Sequence, residues 1–395
     1  MVIVSSYGAI VVGAGFSGAV MAERLASQSG WQVLVLEQRN HLAGNCFDKT
    51  DDNGIRIHQY GPHLFHTNKA EVWNYLSQFT EWKPYEHKVL ARVGDMLLPL
   101  PFNLNSLYRL YPAEHAQQLE QLLIQRYGAG AKVPILQLKQ TDEPELRQLA
   151  DWIYQNIFVN YTMRQWGIKA EDISPEVLAR VPVVLSRDDR YFHDQYQAIP
   201  VDGYTALIGR LLSQPGVDVH LQQDALQRLK LAEGEIWLDG ELFKGKLIYT
   251  GMLDQLFDYQ FGELPYRSLQ FEFKQLDFPY FQSETTVNYP NEETFTRITE
   301  FKHILGEQCN STTIVTEYPQ DYDKNDPQKN IPYYPVFTAD NQEKFGQYKA
   351  LAAQYPQLIP LGRLAEYKYF NMDDAISNAL QLFNQHIKND SQYAK

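Results

Sequence analysis

Two arginines, Arg180 and Arg297, and several tyrosines in short runs with arginine or proline are the residues of this sequence best suited to chemistry on a phosphorylated ligand. The runs are Asn160-Tyr161-Thr162-Met163-Arg164-Gln165-Trp166, Asp189-Arg190-Tyr191-Phe192, Pro332-Tyr333-Tyr334-Pro335 and Glu366-Tyr367-Lys368-Tyr369-Phe370-Asn371. Aromatic faces stack a base or a sugar, phenols donate to phosphate, and two guanidinium forks can clamp a diphosphate. Taken singly, each tyrosine is better explained by core packing, and each arginine is more often a surface ion pair than a ligand. No Ser-His-Asp set, metal-ligand cluster or Walker loop stands out, so hydrolytic and metal-assisted chemistry lack candidates and no metal is expected. The reactive group must then come largely from a cofactor.

The elements that would position such a cofactor open the chain. Val11-Val12-Gly13-Ala14-Gly15-Phe16-Ser17-Gly18 is a G-x-G-x-x-G fingerprint between an apolar strand and a helix-length segment, and Val33-Leu34-Val35-Leu36-Glu37 follows as a second strand ending in an acid. Gly13 allows the tight turn, Gly15 lets a pyrophosphate approach the helix N-terminus, and Gly18 permits close helix-on-strand packing. Glu37 stands where a carboxylate accepts both ribose hydroxyls. An acid there argues against a 2′-phosphate, which selects FAD or NAD over NADP.

With 395 residues and 44% hydrophobic content the chain can bury a sizeable core divided over two or three domains. Its net charge of −13 offers no general attraction to nucleic acid or anionic membrane, so neither is an expected partner. No signal peptide or membrane span is read, and Cys46 and Cys309 lack metal-ligand spacing, so a cytoplasmic protein without disulfides is expected.

Beyond the first β-α-β unit, a helix is expected over 68–79 with Asn68 as N-cap, and a hairpin over 89–100 around Gly94-Asp95. Between them, His63 in a glycine-proline loop is a candidate cofactor contact. Helical spacing fills 114–127 and 143–158, and a polar, arginine-rich loop over 180–190 leads to a helix over 202–212. Alternation over 269–273, 285–288, 294–301 and 312–317 predicts an antiparallel sheet, and helices are expected over 341–355 and 372–388, the last bringing its N-terminus to the cofactor behind Gly362-Arg363. The expected fold is α/β: a discontinuous Rossmann-like FAD-binding domain (1–85, 195–255, 336–395), an inserted helical domain (103–190) and an antiparallel sheet domain (86–102, 256–335).

The ordered set Tyr-Gly-Pro-His-Leu-Phe-His-Thr at 60–67, Leu-Pro-Phe-Asn at 100–103, Tyr-Thr-Met-Arg-Gln-Trp-Gly at 161–167, Tyr-Thr-Gly at 249–251, Phe-Thr-Arg-Ile-Thr-Glu-Phe-Lys-His at 295–303, Pro-Tyr-Tyr-Pro at 332–335 and Gly-Arg-Leu-Ala-Glu-Tyr-Lys-Tyr at 362–369 resembles bacterial UDP-galactopyranose mutases essentially end to end. The resemblance implies an FAD enzyme, active in the reduced form and dependent on an external reductant, that interconverts UDP-galactopyranose and UDP-galactofuranose without net redox change. In that family the reaction passes through a covalent adduct between flavin N5 and the sugar and feeds cell-surface polysaccharide synthesis. It implies Arg180, Arg297 and His63 as catalytic residues, the two arginines holding the diphosphate. Tyr191, Tyr334 and Tyr369 would hydrogen-bond phosphate, Tyr161 would stack on uracil, Trp166 would border the sugar, and Phe158, Thr162, Asn288 and Asn371 would complete the substrate site. FAD would be held by Gly13, Gly15, Phe16, Ser17, Gly18, Glu37, Gln38, Gly44, Asn45, His63, Gly251, Arg363, Asn371 and Met372. A homodimer is left open.

Several positions depart from the family pattern, notably Phe301, where histidine is common, and Asn371, where aspartate is common. An apolar residue near the pocket suits a 6-deoxy or N-acetylated sugar, so a mutase for dTDP-fucose or UDP-N-acetylgalactosamine is the nearest alternative. An FAD oxidoreductase of the amine oxidase type shares the fingerprint but has no use for paired arginines beside an aromatic base cradle.

Overall fold

The structure is a computed structural model that describes residues 6–167 and 182–387. Its first sheet is built from runs with no polar alternation. Strand β1 (Ala9–Val12) and strand β2 (Val33–Leu36) pair in parallel, and continuously apolar strands of this kind need cover on both faces. Helix α1 (Phe16–Ser29) supplies one layer, burying Ala19, Val20, Met21, Ala22 and Leu25. The five parallel strands run in the order Val217–His220, β2, β1, Lys246–Tyr249, Leu358–Pro360. The chain leaves β1 toward one side and returns on the other, so β1 borders the switch point, where a crevice opens beyond the carboxyl ends of the strands.

The second sheet has seven strands. We number them β3 (Val89–Val93), β4 (Met96–Leu100), β5 (Tyr266–Leu276), β6 (Thr286–Asn288), β7 (Arg297–Glu300), β8 (Thr312–Asp321) and β9 (Tyr334–Pro335). Their spatial order is β9-β5-β8-β7-β6-β3-β4, antiparallel except where β3 lies parallel to β6. The sheet is therefore mixed where the sequence predicted purely antiparallel pairing. Register fixes one row across it: Ala91, Asn288, Arg297, Glu317 and Phe271 are successive cross-strand partners. Alternation sends Leu90, Val287 and Ile298 to the opposite face, where they pack together.

Short helices cover β3 and β4. Ala113–Tyr127 and Pro144–Ile153 bury Leu119, Leu123, Leu146, Leu149 and Ile153 in one core with Val89, Ala91 and Leu98. The helix expected over 143–158 does not run straight through: a π-helical turn, Tyr154–Val159, interrupts it before helix α2 (Asn160–Trp166). Such wider turns re-aim the side chains that follow and concentrate at functional sites. Asn68 is not a helix cap. The helix is Ala70–Leu76, and the Asn68 side chain instead accepts from the Gln195 amide (2.9 Å) and donates to Asp194 (2.8 Å), tying this loop to residues 194–195. The last helix, α3 (Met372–His386), packs against α1 and Phe65 through Ile376, Ala379 and Phe383. No helix among the described residues is long and apolar enough to cross a membrane.

Candidate active site

Two cavities meet beyond the carboxyl edge of the parallel sheet. The smaller, about 270 Å3, is lined by the 13–18 turn, Glu37, Gln38, Gly44, Gly251 and Arg363. The larger, about 620 Å3, lies between α2 and the Asn288–Arg297–Glu317 row of the second sheet. Asn45, His63, Tyr333, Arg363, Asn371 and Met372 line both, so the two are adjacent and share a wall.

The smaller cavity has the chemistry of a dinucleotide site. Gly13 has φ +99°, and a Cβ there would lie 2.2 Å from Thr250 Oγ1; a Cβ on Gly18 would lie 2.0 Å from the Gly13 carbonyl oxygen. Only glycine fits either position. Helix α1 starts on Gly15 with no side-chain cap and no acid in its first turn, which leaves its amide groups and dipole to an anion. Buried Glu37 accepts from the amides of Ala14 (2.8 Å) and Arg39 (2.9 Å), and each carboxylate oxygen keeps lone pairs for a ribose hydroxyl. Arg363 donates to the Tyr333 carbonyl (3.2 Å) and that of Phe370, and lies over the rings of Tyr369 (4.9 Å) and Tyr334 (5.5 Å). Among the described residues no carboxylate pairs with it, so its charge is available to a ligand.

His63 stands in the common wall. Its Nδ1 lies 2.8 Å from the Gly61 carbonyl, an acceptor only, so Nδ1 carries the proton and Nε2 presents a lone pair. Its amide donates to His58 Nδ1 at 2.9 Å. Burial, with His58 and two arginines nearby, pushes the His63 pKa down to about 3. The ring is a neutral acceptor at any ordinary pH.

The larger cavity is aromatic on one side and polar on the other. Phe158, Tyr161, Thr162, Gln165 and Trp166 fall at helical intervals and line it together. Arg267 donates to the Arg164 carbonyl (3.0 Å) and steadies the C-terminus of α2 as a cation beside its last carbonyls. Trp166, Tyr334 and Tyr369 form an aromatic cluster with centroid separations of 5.7, 5.9 and 6.1 Å. Burial, with Glu317 nearby, pushes the Tyr334 pKa up to about 12, and burial also raises that of Tyr161, so both phenols stay protonated donors. Across from them Arg297 pairs side-on with Glu317, Nε to Oε2 and Nη2 to Oε1, both at 2.9 Å. Burial opposes the guanidinium charge, but Glu317 more than offsets this and holds the Arg297 pKa well above its ordinary value. The remaining Nη1–Nη2 edge is a second fork, suited to a phosphate group. Asn288 Oδ1, Thr286 Oγ1 and Tyr333 Oη line the space as buried polar atoms without a hydrogen-bond partner. Orphaned atoms in a cavity wall mark where a ligand completes the bonding.

A sequence profile of UDP-galactopyranose mutase matches residues 156–369, and one of an NAD(P)-binding Rossmann-like domain matches residues 11–79. A UDP-galactopyranose mutase of Mycoplasma pneumoniae is 35% identical over 94% of each chain. The chain belongs to the UDP-galactopyranose mutase family. A dTDP-fucopyranose mutase of Escherichia coli is 32% identical over 97% of this chain and 99% of its own. Among solved structures, a reduced UDP-galactopyranose mutase superposes with a TM-score of 0.67 at 14% identity over 98% of this chain and 97% of its own. A putrescine oxidase superposes with a TM-score of 0.59 at 13% identity over 96% of this chain and 99% of its own. At those identities the superpositions establish the fold and not the reaction.

Every expected site residue within the described residues lines one or both cavities; Arg180 lies outside the described residues. The expectation for Phe301 is corrected. It is fully buried, 6.1 Å from Phe273 and 5.6 Å from His58, and does not line the cavity, so it gives no ground for a 6-deoxy or N-acetyl sugar. Sequence reasoning missed Glu317, Thr286 and Arg39, and within the 332–335 run it assigned a role to Tyr334 but none to Tyr333. Tyr333 had a signal in its neighbour Tyr334; Glu317 had none, because its role depends on cross-strand register. Arg39 donates to Asn45 (2.9 Å) and lies over Tyr60 (4.5 Å), while its Nη1 is buried beside the smaller cavity without a partner.

Proposed function

We propose that this protein is a flavin-dependent, non-redox isomerase that interconverts UDP-galactopyranose and UDP-galactofuranose. The observation that carries the reading is the adjacency of the two cavities: a ligand in the larger one would meet the cofactor at the shared wall formed by His63, Asn371 and Met372. The glycine turn, the uncapped α1 terminus, Glu37 and Arg363 fit FAD. Bound and reduced by an external reductant, the flavin would supply the nucleophile for the anomeric carbon.

The chain's own groups do the rest. Tyr161 stacks on the base, and Asn288 Oδ1 accepts from its ring N–H. The free fork of Arg297, with Arg180 as a second arginine, holds the diphosphate and stabilises the charge that grows as the glycosidic bond breaks. Tyr191, Tyr334 and Tyr369 donate to phosphate. His63 Nε2, a neutral acceptor, orients a donor in the common wall. The aromatic cluster keeps water from the reacting carbon. We propose 1–85, 195–255 and 336–395 as the cofactor domain, 103–190 as the helical domain and 86–102 with 256–335 as the second sheet's domain; the strands of the five-stranded sheet fall within the first set and those of the seven-stranded sheet within the last, which supports this division. A cytoplasmic location and a role in cell-surface polysaccharide synthesis accompany the reading.

A second substrate, dTDP-fucopyranose, is favoured by one observation: a relative of that name matches almost as well and over more of the chain. The test is to incubate the dithionite-reduced holoprotein with each furanose nucleotide and resolve the products. Turnover of UDP-galactofuranose under reducing conditions, absent in the oxidised protein, is expected. Equal rates in both redox states, or oxygen consumed in step with substrate, refute the reading; conversion of the fucose nucleotide alone selects the second substrate.

A further inference from the structure

Glu317 is an unusual neighbour for a residue that must attract a diphosphate. It is 1% exposed, lies directly across the strand pair from Arg297, and occupies the Nε–Nη2 edge of that guanidinium with two 2.9 Å bonds. It also lines the cavity itself. A single carboxylate therefore does two opposing things. It fixes the guanidinium plane, so that the Nη1–Nη2 edge is presented in one orientation, and it cancels much of the charge that edge presents. Its own negative charge also faces, across the guanidinium, any phosphate bound on the far side.

We infer that Glu317 is a positioning residue that orients Arg297 and deliberately weakens its hold on the nucleoside diphosphate. The inference rests on the diphosphate-binding role proposed for Arg297. The chemical reason is the reaction cycle. A nucleotide that leaves the anomeric carbon must stay long enough to return to it, yet the finished sugar nucleotide must depart. A lone buried guanidinium would bind the free diphosphate, whose charge is highest, more tightly than the transition state needs, and such uniform tightening slows release without speeding chemistry. The pair with Glu317 keeps the fork's geometry and gives up the excess attraction.

The test is binding of UDP and of uridine, which lacks the diphosphate, to wild-type and Glu317→Gln holoproteins by calorimetry. Glutamine keeps the size and one acceptor and removes the charge. UDP is expected to bind about tenfold more tightly to E317Q, with uridine unchanged and with kcat and KM falling together. UDP binding that weakens or stays the same in E317Q, or a gain shared equally by uridine, overturns the inference while leaving the proposed function standing. A wild-type protein that binds no UDP overturns both. Should E317Q not fold, Glu317→Met takes its place, since it keeps Arg297 and the side-chain length and removes the charge. UDP is again expected to bind more tightly with uridine unchanged, and UDP binding that is weaker or unchanged overturns the inference.

Discussion

At the scale of single residues, charge and burial decide the outcome. Arg297→Ala leaves Glu317 buried without its partner and removes the diphosphate fork, so turnover is expected to fall on the order of a hundred- to thousandfold. Arg180→Ala is expected to cost a similar factor, and lysine at either position should rescue poorly because it keeps the charge but loses the fork. Single-turnover rates with FAD content confirmed check this; losses within about twofold would show that neither guanidinium holds the departing diphosphate. A second prediction concerns pH. Burial pushes the pKa of His58, His63 and His87 down to about 3, well below the unfolded value, so on acidification the unfolded chain takes up protons that the folded one refuses. Stability from these groups is therefore complete above pH 6.5 and lost as pH falls toward 3, by about 1.4 kcal/mol per pH unit for each histidine. Denaturant midpoints from pH 7 to 4.5 measure the slope, and His87→Gln should flatten it; an unchanged slope means that His87 is protonated in the folded protein.

At the scale of elements, fit at the first turn matters most. Gly18→Ala would set a Cβ 2.0 Å from backbone at Gly13, so α1 must move away from the turn that carries the amide groups for pyrophosphate. The variant is expected to fold, since the strain falls at one helix end, but to lose bound FAD, and a yellow preparation with full occupancy would contradict this. These elements were legible because their signals are local: glycine spacing, unbroken apolar runs in β1 and β2, and alternation around Leu269 and Val315. Phe158, Tyr161 and Trp166, which line the cavity from this segment, were named through the family resemblance and not through their helical intervals. What stayed hidden was whatever depends on partners distant in sequence. The π-helical turn before α2 and the parallel β3–β6 pairing have no composition of their own. The register that sets Arg297 against Glu317 joins residues on separate strands, and Phe301 lies behind the wall only because Phe273 and His58 fill the space around it.

At the scale of the whole molecule, one ligand would touch segments from both ends of the chain. The smaller cavity is closed by the 13–18 turn on one side and by Arg363, Asn371 and Met372 on the other, with α3 packed against α1. FAD should therefore stabilise the protein as a unit: at a hundredfold excess over Kd it adds about 2.7 kcal/mol to global stability. Comparing apoprotein and holoprotein melting checks this, and coincident curves at saturating FAD would show that the cofactor contributes nothing to global stability. The same discontinuity constrains how the protein is made. Strand β1 leaves the ribosome well before its partner on one side, Lys246–Tyr249, which follows only after roughly ten to fifty seconds of elongation, and the outermost strand, Leu358–Pro360, comes later still. Throughout that interval the nascent chain carries an apolar strand with a bare edge, a substrate for chaperones and an opening for misassembly. Flavin cannot relieve that exposure until Arg363 and the start of α3, far along the chain from β1, have also been made.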